Sequence, residues 1–419
     1  MLCGSRLTEL SKTIVPRNAS FESPARPPPF SGHVGVHLES DTVRGPLPFF
    51  NPTQARFQLD EHAQLHPKLL EDKIPHPYAT QVALPGVVIN WRSRDNRKGR
   101  HPLGVDSFHP DSTASFRVVS RGLLRMCTEC PYWDVSYLVG VFFSVGCLLF
   151  VISGLFYWLP LVAPASEFST ETTAGDILSF VGATLFQIGA VLLVFEACNE
   201  NRTGCFGWAL YQALKGDDSG SLGDIFAKAD VYSCQHHHQR RRRPDSVRQQ
   251  LPAPQQSPPP ERQWTWCPTW HELKTHYFHE IGFMASISMF VGATIFYVCG
   301  ICTLPWIYNN LSMGVLEGVY YLTYLVGGVF FIISSALYIL ETQPTWYTPA
   351  PHLLGWHIGL WNLIGSIGWT LAASFGYCTR SWCAYQSYLT LTWASAAFLI
   401  GSMLLWYEAL QKYPVEKVR

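Results

Sequence analysis

Three hydrophobic stretches in the second half of the chain share one pattern, and each ends in a single glutamate. An aromatic residue is followed after three positions by a small residue, after three more by Leu and after four more by Glu. The three sets are Phe186, Gly189, Leu192, Glu196; Phe331, Ser334, Leu337, Glu341; and Phe398, Gly401, Leu404, Glu408. Another apolar stretch precedes each set, which predicts three tandem helical hairpins.

The six apolar stretches cover about 137–159, 174–196, 281–304, 318–340, 355–376 and 386–408. Each is close to the roughly 20 apolar residues that an α-helix needs to cross a bilayer. They are apolar on all sides, whereas helices of a soluble core carry a polar face. The sequence therefore predicts an all-α polytopic membrane protein with six transmembrane helices and the lipid bilayer as its surroundings.

Composition agrees with this class and excludes another. Charged residues make up 14% of the chain, against about 25% in ordinary soluble proteins. The formal net charge is zero, so the basic surplus that is typical of nucleic-acid-binding proteins is missing. We predict no nucleic-acid partner.

Basic residues predict the orientation of the spans. Arg117, Arg121 and Arg125 precede the first span, and the segment between the second and third spans and the C-terminal tail also carry Lys and Arg. The loops at 160–173 and 305–317 have neither. The positive-inside rule then places both termini in the cytoplasm. We expect a multi-pass protein of the plasma membrane or an endomembrane.

The chain divides into six regions. Residues 1–132 are rich in proline and lack sustained periodicity, which predicts a largely disordered cytoplasmic extension; an apolar cluster at 80–91 is the one candidate for a small folded element. The first hairpin follows at 133–197, and 198–270 is predicted to be a cytoplasmic linker that is rich in His/Arg and in Pro/Gln. The remaining regions are the second hairpin at 271–341, the third hairpin at 342–410 and a cytoplasmic tail at 411–419.

A second pattern marks the first helix of each hairpin. Small and aromatic residues alternate at four-residue spacing, so that they form one stripe: Gly146, Phe150, Gly154; Gly292, Phe296, Gly300; and Gly365, Trp369, Ala373. Small residues at this spacing let helix backbones approach closely in lipid. We predict that the first helix of each hairpin packs antiparallel to the second.

The segments Phe180-Val-Gly-Ala-Thr-Leu-Phe186 and Phe398-Leu-Ile-Gly-Ser402 carry a resemblance. Hairpins with this motif resemble the YrhK-like domain, a two-helix membrane module of unassigned function, and the whole chain is similar to fungal-type integral membrane proteins with such hairpins. The resemblance would cover about 137–410, one copy for each hairpin. It implies no functional residues and no cofactor.

The predicted topology brings five ionisable residues to the cytoplasmic boundary of the spans. They are Glu196, Glu341, Glu408, His279 and His352. One hypothesis is that these carboxylates and imidazoles bind a cation or pass protons. The alternative is that each Glu ends its span among the headgroups, paired with a basic neighbour or a backbone NH. Gln187 and Asn362, near mid-span, would line a polar cavity or form hydrogen bonds between helices.

The remaining candidates concern cysteines and a glycosylation site. Cys378 and Cys383 share the last external loop and are candidates for a disulfide, and Asn310 begins an external sequon. Cys127 and Cys130 have zinc-knuckle spacing that Cys198 and Cys205 would have to complete; palmitoylation or plain thiols are the alternatives. The runs at 236–238 (His) and 240–243 (Arg) would form a metal or lipid patch or a solvated linker. We predict no cofactor, bound metal or catalytic residue.

These patterns predict a non-enzymatic membrane component with a structural or scaffold role. Its cytoplasmic partner proteins would bind through 1–132 and 198–270. The alternative is a small-solute, ion or proton transporter that uses the boundary Glu and His residues. Because three hairpins enclose little volume, a transport pathway would require a homo-oligomer.

Overall fold

The computed structural model describes residues 36–59, 88–100, 102–105, 115–200, 202–207, 209–210, 264–412 and 414–417. The strands in these ranges are β1 (Val36–Arg44), β2 (Gln54–Leu59), β3 (Val88–Arg92), β4 (Leu103–Val105) and β5 (Val415–Lys417). The helices are α1 (Ser93–Arg97), α2 (Phe116–Thr128), α3 (Val135–Val162), α4 (Glu171–Cys198), α5 (Trp270–Thr275), α6 (Ile281–Cys302), α7 (Pro305–Tyr308), α8 (Met313–Thr342), α9 (Leu354–Gly376) and α10 (Ser381–Leu410).

Six of the helices, α3, α4, α6, α8, α9 and α10, are long and apolar enough to cross a membrane. This confirms the predicted all-α polytopic fold with six spans. Local sequence explains where α3 begins, because the Asp134 side chain accepts a hydrogen bond from the Ser136 NH at 2.9 Å. Helix α8 contains a π-helical segment, Leu316–Tyr321.

The six long helices form a closed ring in chain order. Each packs against the next, from α3 and α4 through α6, α8 and α9, and α10 returns to pack against α3. Within hairpins, the small-residue stripes meet where predicted. A Cβ at Gly146 would lie 3.1 Å from the Gly182 carbonyl, and one at Gly292 would lie 3.1 Å from the Gly327 carbonyl. The predicted close packing of the two helices of a hairpin is therefore confirmed.

The middle of the ring is filled by aromatic side chains, one from each helix. We call this set the aromatic plug: Phe150, Phe186, Phe296, Phe331, Trp369 and Phe398. All six are buried, and Trp369 is at the centre of the contacts, with ring centroids 4.5 Å from Phe398, 4.9 Å from Phe296 and 5.0 Å from Phe150. These distances are typical of favourable aromatic pairs. The Trp369 indole NH donates to Ser395 Oγ at 3.0 Å. The plug closes the bundle axis at mid-height.

A five-stranded sheet lies at one end of the bundle, in the order β1-β2-β3-β4-β5. Neighbouring strands are antiparallel except β4 and β5, which are parallel. Because β5 follows the last span and β1 to β4 precede the first, segments before and after the six spans share one sheet and one side of the bundle.

The sheet differs from the predicted lack of packed structure in 1–132. Residues 36–59, 88–100 and 102–105 belong to it or connect its strands. Ala55 and Phe57 are 3% exposed, and β4 finds its partner more than 300 residues away in β5. Such distant pairing leaves no local periodicity. Strand β3 overlaps the 80–91 cluster, but residues 80–87 lie outside the described residues, as do the His and Arg runs at 236–238 and 240–243.

Candidate functional site

The three repeat glutamates meet at the end of the bundle that carries the sheet, which we call the glutamate end. Glu196, Glu341 and Glu408 come from the last turns of α4, α8 and α10. Their side chains are buried, with exposed fractions of 0%, 2% and 1%. The three carboxylates thus lie together beneath a cover of protein, and this cover supplies the basic partners that the alternative interpretation gave them.

The covering segment is residues 92–100, which contains α1 and joins β3 to β4. It supplies cations to all three hairpins, and the shortest contact of each repeat glutamate is with a different side chain of the segment. Lys98 Nζ lies 3.3 Å from Glu196 Oε1, Arg97 Nη2 lies 2.9 Å from Glu341 Oε2, and Arg94 Nη2 lies 2.8 Å from Glu408 Oε2. Positions 97 and 98 follow position 94 by three and four residues, so a single short turn presents all three side chains.

Two glycines make room for the arginines. A Cβ at Gly282 would overlap Arg97 Nη1, and a Cβ at Gly355 would lie 2.6 Å from Arg94 Nε. Each glycine follows three positions after a histidine, His279 or His352. At the corresponding position of the first hairpin, three residues after Trp133, stands Ser136, which is fully buried. The hairpin without the glycine is the one that pairs with lysine.

Two further side chains balance the charge of the cluster. Arg100 Nη1 lies 3.1 Å from Glu408 Oε1 and also contacts Asp95. The ion-pair cluster is therefore Glu196, Glu341, Glu408 and Asp95 with Arg94, Arg97, Lys98 and Arg100: four carboxylates and four cations, all buried. An unpaired buried charge is costly, and balanced pairing removes most of that cost.

Polar contacts around the cluster bind the sheet and the tail to the bundle. Ser93 Oγ donates to Glu341 Oε1 at 2.8 Å. Lys412 Nζ lies 2.7 Å from Asp134 Oδ2 and donates to the Lys98 carbonyl at 2.9 Å. Further out, the Arg92 guanidinium contacts both carboxylate oxygens of Glu416 in β5, at 2.9 and 2.6 Å. The segment before the spans and the tail after them are thus fixed together.

Burial governs the protonation of the covering segment. It lowers the pKa of Lys98 below its ordinary value, against the attraction of Glu196 and Glu408. It also raises the pKa of Asp95, against the attraction of Arg100 and Arg92. For Arg94 burial acts against the charge, but the Glu408 carboxylate outweighs it and the pKa of Arg94 is raised. The carboxylates already have resident cations, so a mobile cation would have to displace them.

Below the cluster lies a cavity of about 30 Å³ that includes Arg97, Asn362 and Ser402 in its lining. This volume holds about one water molecule. Arg97 Nε lies 3.4 Å from Glu196 Oε1 without forming a hydrogen bond, and Arg97 Nη1 has no hydrogen-bond partner among the described residues. Of the two mid-span amides, Asn362 thus borders a small cavity whose lining is mostly apolar, whereas Gln187 Nε2 donates to Thr294 Oγ1 (3.0 Å) between α4 and α6.

The two boundary histidines lie outside the cluster. His279 and His352 are both exposed, and each precedes the first turn of its helix, so the adjacent glycine, not the imidazole, faces the arginine. The backbone carbonyl of His279 accepts a hydrogen bond from the Asn51 NH at 2.8 Å. The three carboxylates are therefore paired with arginine and lysine, and the hypothesis that the five residues bind a cation or pass protons stays a prediction.

The cysteine and asparagine candidates fall at other places. Cys378 and Cys383 form a disulfide, with an S–S distance of 2.02 Å. Asn310 is exposed, and its Nδ2 donates to the Trp306 carbonyl at 2.8 Å; its glycosylation stays a prediction. Of the four cysteines of the zinc hypothesis, Cys127 and Cys130 are exposed, whereas Cys198 and Cys205 are buried.

One group within the described ranges has ligand atoms close enough for a metal ion. Glu200, His276 and Glu280 place one such atom each within 4.8 Å of one another. Both carboxylates also accept hydrogen bonds from side-chain amides. Asn96 Nδ2 of the covering segment donates to Glu200 at 3.3 Å, and Asn51 Nδ2, between β1 and β2, donates to Glu280 at 2.6 Å. These bonds explain the arrangement as part of the sheet-to-bundle contact.

Sequence reasoning missed the covering segment. Its signal was present: five of the nine residues at 92–100 are basic, directly after an apolar run. Such a run inside a proline-rich extension is also what a solvated segment looks like. The paired glycines Gly282 and Gly355 are visible as a repeat, but nothing in the sequence connects them with Arg97 and Arg94, which lie 185 and 261 residues away.

No protein-family model, curated protein or solved structure matches this chain.

Proposed function

We propose that this protein is a non-enzymatic structural component of a membrane, whose extramembrane sheet is a fixed platform for partner proteins. The observation that carries the proposal is the ion-pair cluster. Three helix ends, one from each hairpin, bind one rigid segment through charge-assisted contacts that are shielded from water. A segment held in this way has a constant position and orientation relative to the membrane.

The filled bundle axis supports the same reading. The aromatic plug closes the axis at mid-height, and the charge-balanced cluster closes it at the glutamate end. The described residues therefore form no continuous polar path along the bundle axis, and polar paths are what transport sites in membranes require. Passage between subunits of a homo-oligomer stays a prediction.

The platform would face the cytoplasm. The positive-inside distribution of Lys and Arg favours this side for both termini, and the shared sheet is consistent with both being on one side. Partner proteins would then bind through 1–132 and 198–270, parts of which join or contact the sheet.

Cross-linking in native membranes tests the scaffold role. A lysine-reactive cross-linker is applied to cells that carry the full chain or the Glu341→Gln/Glu408→Gln double variant, with Glu317→Gln as the matched control at an exposed position. We expect defined cross-links between 1–132 or 198–270 and partner proteins in the wild type and the control, and their loss in the double variant. Equal cross-linking in the double variant and the wild type would contradict the proposal.

A flux assay tests the transporter alternative. Purified protein is reconstituted into liposomes that enclose a pH-sensitive dye, with a potassium gradient. We expect proton and potassium permeation no greater than in protein-free liposomes. Permeation that grows with protein content and is lost in Glu408→Gln, with that variant folded, would establish transport and overturn the structural role.

A further inference from the structure

The end of the bundle opposite the sheet holds a large cavity, which we call the tyrosine vestibule. Its volume is about 610 Å³, within the range of pockets that bind small organic molecules. It lies among α3, α4, α6, α8, α9 and α10 and the loops that join them. Its floor includes Phe150 and Phe296 of the aromatic plug, so it is closed towards the middle of the membrane.

The charge of the vestibule has one sign. Glu167, Glu171 and Asp176 contribute to its lining, and no Lys, Arg or His among the described residues does. Asp176 is held in place because its Oδ1 accepts a hydrogen bond from the Tyr157 hydroxyl at 2.6 Å. An excess of carboxylates in a concave site attracts cations.

The walls are unusually rich in tyrosine. Six tyrosines contribute to the lining: Tyr157, Tyr308, Tyr320, Tyr321, Tyr324 and Tyr388. Several contact one another: the rings of Tyr157 and Tyr388 stack at 5.3 Å, and Tyr320 lies 5.6 Å from Tyr308. Electron-rich ring faces attract cations, most strongly those that water solvates poorly, such as quaternary ammonium groups.

A rare element of secondary structure contributes two of these tyrosines. Tyr320 and Tyr321 lie in the π-helical segment Leu316–Tyr321 of α8. π-Helical turns are uncommon and occur frequently at functional sites. A regular α-helical register would rotate these two side chains relative to the rest of α8, so the irregular turn determines what the vestibule presents.

We propose that the tyrosine vestibule binds a small organic cation, with a quaternary ammonium or protonated amine group lying against the tyrosine rings near Asp176. This binding site is independent of the platform at the glutamate end and goes beyond the structural role proposed above. Cavity size, one-signed charge and the tyrosine walls each point to the same ligand class. The same chemistry is offered by a free amine and by a choline lipid headgroup.

Calorimetric titration of the full chain in nanodiscs tests the proposal. The probe is choline, and the control is 3,3-dimethyl-1-butanol, which has the same shape with carbon in place of the charged nitrogen. In phosphatidylglycerol nanodiscs we expect saturable choline binding that is at least about tenfold tighter than binding of the alcohol. Equal binding of the two, or no saturable choline binding, would overturn the proposal.

Variants locate the site. Asp176→Asn and Tyr388→Leu should each weaken choline binding about tenfold, as loss of a carboxylate or an aromatic face would. Glu317→Gln is the control, because Glu317 lies at the same end of the bundle but outside the lining. If Asp176→Asn does not fold, Glu167→Gln, at an exposed loop position, takes its place. Unchanged affinity in the folded lining variants would overturn the assignment.

The lipid composition distinguishes the two sources of the cation. If a lipid headgroup occupies the vestibule, phosphatidylcholine nanodiscs should weaken the binding of free choline relative to phosphatidylglycerol nanodiscs. If the ligand is soluble, the two should give the same affinity; either result supports recognition of an organic cation. Because no partner protein enters this titration, its failure would leave the proposed platform untouched.

Discussion

The two ends of the six-helix bundle both contain carboxylates, but these differ in burial and in their pairing with basic side chains. At the glutamate end every carboxylate of the cluster meets an arginine or lysine, and the side chains are at most 7% exposed. At the tyrosine end Glu167, Glu171 and Asp176 border an open cavity whose lining has no cation.

This difference suits the glutamate end to stabilising the fold and the tyrosine end to binding a ligand. Buried ion pairs with balanced charge leave no net charge to attract a ligand. Carboxylates that have no cationic side chain beside them attract a cation. The same six helices thus close one end around their own chain and leave the other open. Substitutions at the two ends should accordingly differ in their effect on stability.

Removal of a carboxylate from the cluster should have the largest effect. Glu408→Ala leaves Arg94 and Arg100 buried with one partner fewer, and we expect a loss of about 3–5 kcal/mol in the free energy of unfolding. Chemical denaturation in detergent measures it. Glu317→Ala, at an exposed site of the opposite end, should change it by less than about 0.5 kcal/mol. Similar losses in the two variants would contradict the contrast between the ends.

Blocking the entry of an arginine should cost somewhat less. In Gly282→Ala the new Cβ overlaps the Arg97 guanidinium, which must move away from Glu341, and overpacking of this kind costs about 1–3 kcal/mol. The control is Gly314→Ala, since no atom lies within 4 Å of a Cβ there. Thermal melting of both variants checks the prediction; a Gly282→Ala protein as stable as Gly314→Ala would show that Arg97 is not held at this position.

The outer Arg92–Glu416 pair should give a smaller, pH-dependent effect. Burial acts against the charge of Glu416, but Arg92 outweighs it, so the pKa of Glu416 lies below its ordinary value of 4.5. A lowered pKa stabilises the folded state above 4.5, and this contribution is lost as the pH falls through the folded-state value. Wild type should exceed Glu416→Gln by about 1 kcal/mol at pH 7, with the difference shrinking below pH 4.5. A difference that is constant with pH would contradict the ion pair.

The smallest effect on stability is expected at the tyrosine end. Asp176 is partly exposed and accepts one hydrogen bond from Tyr157, and an Asn amide oxygen can accept the same bond. Asp176→Asn should change the free energy of unfolding by no more than about 0.5 kcal/mol. Thermal melting of Asp176→Asn is compared with thermal melting of Glu408→Gln. A loss as large as that of Glu408→Gln would make Asp176 a structural residue.

The bundle was largely predictable because its determinants are local and periodic. Length and hydropathy give the six spans, and the stripes led by Phe186 and Phe150 mark the faces that pack inwards. Even the meeting of Glu196, Glu341 and Glu408 follows from their equivalent positions in three hairpins. Each of these inferences needs only the helical period and the thickness of a bilayer.

The covering segment was not predictable for the opposite reason. Its strands are short, and β4 pairs with β5 across 312 residues of the chain, from Leu103 to Val415. The partners of Arg94, Arg97 and Lys98 lie 98 to 314 positions away in sequence. A basic run has the same composition in water and in a buried cluster, so only the three-dimensional arrangement distinguishes the two.

Hydrogen–deuterium exchange in nanodiscs tests most directly whether the segment is bound by the three glutamates. The wild type is compared with the Glu196→Gln/Glu341→Gln/Glu408→Gln variant at the amides of residues 88–100. We predict slow exchange there in the wild type and at least about a hundredfold faster exchange in the variant, with the six long helices equally protected in both. Fast exchange of 88–100 in the wild type, or equal protection in the two proteins, would contradict the binding of this segment by the cluster.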